Sequence, residues 1–506
     1  MASSIRTAAV LGAGVMGSGI AAHLASCGIR TLLLDIVPPG CDDPSAEARN
    51  GFAARGLAGA IKSKPAAFLR SERAALVEVG NFDDHMGKLS ECDWIIEVVK
   101  EDMAIKRSLL AQIEANWTPG TIVTTNTSGL SITGMLEGRS EDFARHFLGT
   151  HFFNPVRYMH LLEIIPGPNT DPAILERMAH FCDRYLGKGI VYAKDTPNFI
   201  ANRIGVYAMM TTIHAMRELG YSLEEVDAIV GKPMGRPKSA AFRTADVVGL
   251  DTFVHVAQNC YDALGDDPER DVFQVPDFLH TMVGKKLLGS KTRAGFYKKV
   301  GREIQALNLD TFEYQPKVKP DLPALKPLKK IDDPGRRTAE LIATDGRAGT
   351  FAWHVLSRTL AYAANIADQI ADDIVNIDRA MRWGFNWDQG PFEVWQAIGV
   401  AEGAARMRAD GLTVPAWIDA AAAAGGFYVA EDETYFAGAE GQVAVPALPG
   451  SVNLQLLKKG GGVVERNRGA TLVDVGDGIA CLEFHTKMNT VDIDLTAMLN
   501  RACDIV

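Results

Sequence analysis

The 506-residue sequence is poor in cysteine, has no excess of positive charge and contains no long apolar run. Its seven cysteines, Cys27, Cys41, Cys92, Cys182, Cys260, Cys481 and Cys503, are scattered, with neither the CxxC spacing of a zinc site nor the density of a disulfide scaffold. No metal site is expected, and a reducing, cytoplasmic setting is. Lys and Arg total 52 against 62 Asp and Glu, a formal charge of −10, which argues against a nucleic-acid or anionic-membrane surface. An anionic ligand would need a local basic site. No apolar run reaches about 18 residues, and the first residues lead straight into a strand, so neither a membrane span nor an export signal is expected.

What is present is the balance of a chain with large cores, 47% hydrophobic and 23% charged, long enough for about three domains of roughly 100–200 residues. Over residues 7–194, apolar β-type runs (AAVLGA, TLLLDI, DWIIEVV, TIVTTNTS, FLGTHFF, LLEIIP, GIVYAK) alternate with longer amphipathic stretches. This pattern predicts an α/β Rossmann-like domain, residues 1–194, with a parallel sheet buried on both faces. After Asp195-Thr196-Pro197 the apolar residues recur at helical spacing, predicting a helical domain over 195–316. Pro320, Pro323 and Pro327 stand among five lysines in 317–330, which reads as a linker, 317–335.

A second helical domain is expected over 336–430, partly repeating the first. Val226-Asp227, Phe242 and Gly249-Leu250 are echoed by Ile377-Asp378, Phe392 and Gly399-Val400, with Asp-to-Phe spacings of fifteen and fourteen and Phe-to-Gly spacings of seven. The fold class is therefore an α/β domain followed by two duplicated all-α domains. Residues 431–469, rich in glycine and polar residues, read as another linker. The β-type runs TLVDVG and IACLEFH then open a short β-rich segment, 470–506.

Gly12-Ala13-Gly14-Val15-Met16-Gly17 follows the first strand and opens an amphipathic run. Gly12 allows the tight turn, Gly14 lets backbone amides approach a pyrophosphate, and Gly17 permits close helix–sheet packing. Asp35, eighteen residues beyond Gly17 at the end of the next strand, is placed for the ribose hydroxyls of an adenosine. It would repel a 2′-phosphate, and Ile36, Val37 and Pro38 offer no arginine to receive one, so NAD is expected over NADP. Alcohol oxidation with NAD needs a base, and histidine is the natural choice near neutral pH. Among eleven histidines, position favours His151, at the end of a β-type run. Glu163, twelve residues on, interrupts the apolar LLEIIP, where a carboxylate is costly to bury without a partner; a His–Glu pair follows.

These residues carry a resemblance. GAGVMGSGIA, IIEVVKEDMAIK, NTSGLSI, HFFNPVRYMHLLEII, DTPNFIANR and GSKTRAGFY occur in the order found in L-3-hydroxyacyl-CoA dehydrogenases, over about residues 5–300. The resemblance implies NAD-dependent oxidation of L-3-hydroxyacyl-CoA to 3-ketoacyl-CoA in fatty-acid β-oxidation. It makes His151 the general base, Glu163 its orienting partner, and Ser128 and Asn202 hydrogen-bond donors around the substrate oxygen. It also places Glu101 and Lys106 near the nicotinamide half of the cofactor and Asn154 in the active site, and makes Lys62 and Lys64 candidates for the phosphates of coenzyme A. Glu97 and Asn126 lie close by in the same motifs and are left unassigned.

The sequence departs from the family pattern at Gly129, where a second serine is usual, and at Ala240-Ala241-Phe242, which replaces the Gly-Pro-Phe kept at Gly390-Pro391-Phe392. With Phe199 matched to Phe351, His354 falls opposite Asn202, so the second copy reads as structural. Smaller members of the family dimerise through the helical domain, so the resemblance to multifunctional β-oxidation proteins implies an intramolecular pseudo-dimer and a monomeric chain. The last segment resembles the opening strands of a crotonase-fold hydratase, with Asn489 as the early asparagine. That implies a truncated form or a split gene product without hydratase activity of its own, and a separate hydratase piece or a thiolase as partner. Two other readings stand beside this one: a β-hydroxyacid dehydrogenase with a lysine catalyst, and a non-catalytic NAD-binding scaffold.

Overall fold

The apolar runs of the N-terminal part become strands of one eight-stranded sheet in the computed structural model, which describes residues 5–429, 434–447 and 450–506. The strands are β1 (Thr7–Leu11), β2 (Arg30–Asp35), β3 (Val77–Asn81), β4 (Trp94–Glu97), β5 (Ile122–Thr125), β6 (Phe147–Phe152), β7 (Leu161–Pro166) and β8 (Gly189–Tyr192), ordered β3-β2-β1-β4-β5-β6-β7-β8. Helices cover both faces, so Ala8, Ala9, Val10 and Leu11 of the central β1 are all buried. Strand β3 was absent from the sequence pattern. It is an edge strand whose VEVGN carries an exposed Glu78 and ends on turn-forming residues.

The expected all-parallel sheet is corrected at one end: β7 runs antiparallel to β6, and β8 follows β7. The cause is the short connection, residues 153–160, which cannot make the crossover of a dozen or more residues that a parallel pair needs. This reversal places His151 directly opposite Glu163 on neighbouring strands.

The chain divides into two compact units, Met1–Val443 and Ala444–Val506. In the first unit the sheet is followed by helices Ala201–Glu218, Leu223–Val230, Phe242–Val248, Leu250–Ala263 and Asp277–Gly284. They end in a small antiparallel sheet, β9 (Tyr297–Val300), β10 (Glu303–Leu307) and β11 (Tyr314–Pro316). Helices Pro334–Ile342, Arg347–Ile370, Ile374–Gly384, Pro391–Ile398, Val400–Ala409 and Trp417–Ala423 follow, ending in β12 (Tyr428–Val429), β13 (Thr434–Phe436) and β14 (Gln442–Ala444). Neither helical stretch is therefore all-α. The strands escaped the sequence reading because most are two to four residues long.

The two stretches share a buried knot. Asp227 Oδ1 accepts from the backbone N–H of Phe242 (2.9 Å) and of Ala241 (3.1 Å), and Oδ2 accepts from the Tyr297 hydroxyl (2.8 Å). Asp378 Oδ1 accepts from Phe392 N–H (2.8 Å), and its Oδ2 from the Tyr428 hydroxyl (2.5 Å). In each, the helix that carries the phenylalanine in its first turn ends at a glycine with positive φ, Gly249 (100°) or Gly399 (89°). Burial pushes the Asp227 carboxyl up to about 6 and the Asp378 carboxyl well above the ordinary carboxylate range. The long helices Ala201–Glu218 and Arg347–Ile370 pack together, stacking Tyr207 on Tyr362 at 3.9 Å. Phe199 precedes the first of these helices, whereas Phe351 lies in the second turn of the other, so the two phenylalanines do not occupy equal places.

Residues 317–335 are less of a free linker than their composition suggested. Leu325–Leu328 forms a helical turn with both leucines buried, and the Val318 N–H donates to Glu224 (3.1 Å). The stretch read as a second linker, 431–469, holds β13, β14, helix Leu454–Lys459 and β15 (Val463–Arg466), while its expected start at 430/431 lies outside the described residues. In the second unit β15 joins β16 (Ala470–Asp474) and β17 (Ala480–Phe484), the two runs expected as strands. Helix Ile493–Ile505 lays Leu495 and Met498 over Ala470 and Leu482, a small core of its own, and Asn489 is exposed. Among the described residues, no helix is long and apolar enough to cross a membrane, and no group of three or more acidic, His and Cys residues could hold a metal ion.

Candidate active site

The Gly-rich turn joins β1 to helix Val15–Ser26 at the centre of the sheet. Gly12 adopts φ +112°, and a Cβ there would lie 2.5 Å from the Val98 carbonyl; a Cβ on Gly17 would lie 1.7 Å from Gly12 O. A Cβ on Gly14 would meet nothing within 4 Å, leaving open space at the helix N-terminus, whose first turn has no acidic residue. An anion fits there, as the dipole and unpaired amides of a helix start require. Asp35 ends β2 with its Oδ2 accepting from Ala13 N–H (2.7 Å) and its Oδ1 from Ile36 N–H (2.7 Å), so the carboxylate is tied to the turn it serves. The residues present suit a dinucleotide.

Across from the turn lies a buried charge network that the sequence reading had only in part. Lys106 Nζ, 1% exposed, donates to both oxygens of buried Glu97 (2.8 and 2.9 Å) and lies 3.3 Å from Glu101 Oε2. Thr125 adds a hydroxyl to Glu97 at 2.5 Å. Lys106 is thus held between two carboxylates. Glu101 Oε1 accepts from the Thr127 hydroxyl and from the N–H groups of Ser128 (3.0 Å) and Gly129 (3.3 Å), which fixes the loop bearing Ser128. Burial raises the Glu101 carboxyl, but Lys106, Thr127 and the Ser128 amide outweigh it and hold the group below its ordinary value.

Glu101, Asn126, Ser128 and Gly129 form one wall of a cleft of about 210 Å³, with Met16, Val98 and Val99 beside them. Thr252, His255, Val256 and Asn259 form the opposite wall from one face of helix Leu250–Ala263, at the i, i+3, i+4, i+7 positions. Asn198 closes the gap between them. Its Nδ2 donates to Asn259 Oδ1 (3.3 Å), and its Oδ1 sits 3.1 Å from where a Gly129 Cβ would be. The glycine that departs from the family pattern therefore makes room for Asn198. Asn126, left unassigned from sequence, accepts from Phe152 N–H (2.9 Å) and so ties this wall to the strand of His151.

His151 is 4% exposed and Glu163 fully buried. His151 Nδ1 lies 2.6 Å from Glu163 Oε2; with a carboxylate as acceptor, Nδ1 carries the proton and Nε2 is the nitrogen available as a base. Glu163 Oε1 accepts from Ala201 N–H (2.8 Å) and Ile200 N–H (3.2 Å), so the same carboxylate caps the helix Ala201–Glu218. Asn202 is the second residue of that helix, directly after Ala201, whose N–H Glu163 accepts. The rings of Phe153 and Phe199 lie 4.5 and 5.6 Å from the imidazole.

Asn154 is exposed on the 153–160 turn that follows β6. Buried Lys188 holds this turn from behind, donating to the carbonyls of Val156 and Met159 (2.7 Å), and burial lowers its ammonium to about 8. Arg157 of the same turn donates to the carbonyls of Ala66 (3.0 Å) and Phe68 (3.2 Å), just beyond Lys62 and Lys64. Those two lysines are exposed at the end of helix Gly51–Lys62 and in the residues after it, outside the cleft.

A sheet-centred Gly-rich turn and an acid at the next strand end, joined to a helical domain, are the architecture of the two-domain dinucleotide-binding class. Residues 7–196 match the family model for the 3-hydroxyacyl-CoA dehydrogenase NAD binding domain, and residues 199–299 the model for the C-terminal domain of the same family. The chain is 46% identical over 516 aligned positions to a probable 3-hydroxyacyl-CoA dehydrogenase of Bacillus subtilis, covering all of this chain and 65% of that protein. It is also 46% identical over 299 positions to one of Deinococcus radiodurans, covering 59% of this chain and 84% of the relative. The chain belongs to the 3-hydroxyacyl-CoA dehydrogenase family, though it spans just under two thirds of the Bacillus relative's length. A crystal structure of 3-hydroxybutyryl-CoA dehydrogenase from Escherichia coli shares the fold, with TM-score 0.62 at 22% identity over 83% of this chain and 99% of that one.

Proposed function

We propose that this chain oxidises an L-3-hydroxyacyl-CoA to the 3-ketoacyl-CoA in fatty-acid β-oxidation, with His151 as the base. NAD, when bound, supplies the acceptor for the hydride leaving C3. Gly12, Gly14, Gly17 and Asp35 hold its adenosine and pyrophosphate, and Glu101, braced by Lys106, faces its nicotinamide half. His151 Nε2 takes the hydroxyl proton, and Glu163 keeps the proton on Nδ1 and stabilises the charge that forms on the ring. Ser128 and Asn202 donate hydrogen bonds to the substrate oxygen, and Asn154 orients the substrate beside them. In the reducing direction His151 returns the proton to the same oxygen. Lys62 and Lys64 provide the local positive charge that an acidic protein needs for the phosphates of coenzyme A.

The observation that carries this reading is the His151–Glu163 pair, whose second carboxylate oxygen is spent on the helix bearing Asn202. A lysine catalyst has less support, because buried Lys106 is held by two carboxylates and Lys188 by two carbonyls. The repeated Asp–Phe–Gly–Tyr knot supports two copies of the helical domain, here 195–316 and 336–430; with them goes the reading of an intramolecular pseudo-dimer, and of a monomeric, cytoplasmic chain. The last segment, with Asn489, is read as the start of a crotonase-like domain; a separate hydratase piece would then supply substrate and a thiolase would consume product.

The test is oxidation of NADH by acetoacetyl-CoA, with NADPH as control. Turnover with NADH and at least about tenfold less with NADPH is the expected result, since Asp35 repels a 2′-phosphate. A folded protein that binds NADH but turns over no 3-ketoacyl-CoA contradicts the proposal.

A further inference from the structure

A few residues before Ala240-Ala241-Phe242, the first helical stretch holds a cation without an acid partner. Arg236, 9% exposed, stacks its guanidinium over the Trp387 ring at 4.2 Å. Among the described residues its side chain makes no hydrogen bond and no ion pair. The nearby carboxylate of Asp388 is bonded instead to Arg337 (2.9 Å), and Arg337 also donates to the Lys232 carbonyl (2.9 Å). Burial lowers the Arg236 guanidinium to about 10, with no neighbouring acid to offset it. A guanidinium has five N–H donors, and the space beside Arg236 is where acceptors for them would sit.

Arg236 opens onto a cavity of about 30 Å³ lined also by Gly205, Met209, Ala240, Phe385 and Trp387. At about 10–15 Å³ per water-sized group, the space takes two such groups. Two oxygens set side by side on the fork of a guanidinium are the geometry of a bidentate carboxylate, whose carbon end would lie toward the open side of the pocket. The walls come from both helical stretches. Phe385 occupies the space a Cβ on Gly205 would take, and Asp388 N–H donates to the Gly235 carbonyl (2.7 Å).

We propose that Arg236 and Trp387 form a binding site for a small carboxylate at the joint between the two helical stretches, separate from the cleft that Ser128 lines and from the His151–Glu163 pair. Such a ligand completes the hydrogen bonding of Arg236 and ties the 235–241 segment to the 385–388 segment, so binding stabilises the folded chain.

The experiment titrates full-length protein with acetate against chloride at constant ionic strength, following heat of binding and thermal unfolding. Saturable binding of one acetate per chain and a rise in Tm of about 1–3 °C at roughly 10–100 times Kd are expected. Both should be lost in Arg236→Met, whose folding is checked by unchanged NADH binding. Should that variant not fold, Arg236→Lys keeps the charge without the fork, and at least tenfold weaker acetate binding is expected. Absence of saturable acetate binding to the unaltered protein overturns the proposal and leaves water as the occupant. Binding that is unchanged in Arg236→Met or Arg236→Lys overturns it as well.

Discussion

The two helical stretches keep the same knot and differ at the helix that precedes it. In the first, helix Ala201–Glu218 starts against Glu163, which also holds His151. In the second, helix Arg347–Ile370 starts at Gly346 with no side-chain cap. What both retain, a buried aspartate gathering a backbone amide and a tyrosine, serves packing. What only the first has is a carboxylate shared across domains, and that is where we place the chemistry. The comparison separates residues that hold a helical domain together from residues that aim an imidazole.

That separation can be broken experimentally. His151→Ala should lower kcat by about 10²–10⁴-fold while NADH binding is unchanged, measured by steady-state kinetics and fluorescence titration. Glu163→Gln should cost about 10²-fold in kcat, because the amide no longer fixes Nδ1–H, and should also lower stability through the loosened helix start. In contrast, Asp378→Ala should leave kcat within about twofold while destabilising the chain by about 2–4 kcal/mol in urea unfolding, since a buried amide and hydroxyl lose their acceptor. A large kcat loss in Asp378→Ala would erase the distinction.

A finer test uses pH. The Asp227 carboxyl sits at about 6 in the fold, above its ordinary value, so the folded state binds that proton more tightly than the unfolded chain does. Its contribution to stability is therefore full below about pH 4 and is lost as pH rises through about 6. Between pH 4 and 7 the unaltered protein should lose about 2–3 kcal/mol more than Asp227→Asn, read from urea unfolding at each pH. Equal slopes would mean that Asp227 stays ionised in the fold. The smallest effect belongs to Lys62→Glu with Lys64→Glu, expected to raise KM for acetoacetyl-CoA by about 3–10-fold at low salt and less at high salt. No change in KM would remove both lysines from the coenzyme A site.

The sequence made His151 and Glu163 legible because each interrupts an apolar strand, where a polar group needs a reason. Their partnership across β6 and β7 depends on register, and register depended on a connection whose shortness was visible but not used. Gly12, Gly14, Gly17 and Asp35 were readable because the turn geometry fixes their spacing. The link from Glu97 to Lys106 was not read: both lie in quoted motifs, yet only the helix rotation points Lys106 inward to two carboxylates. Asn198, His255 and Asn259 were missed for a similar reason, since a cleft wall drawn from two domains leaves no local pattern; the one signal was Gly129, the vacancy that Asn198 fills. The short strands β9 to β14 were hidden by their length. Asp227, Asp378, Phe242 and Phe392 stood out as a repeat, but the tyrosines that complete each knot lie 70 and 50 residues further on.

The most direct test of the account is a double-mutant cycle on His151 and Glu163, with kcat for acetoacetyl-CoA reduction as readout. If Glu163 acts on the reaction through the imidazole, adding Glu163→Gln to His151→Ala leaves the residual rate unchanged within about twofold. If Glu163→Gln costs as much in the His151→Ala background as it does alone, the pair is not the catalytic unit and the central claim fails.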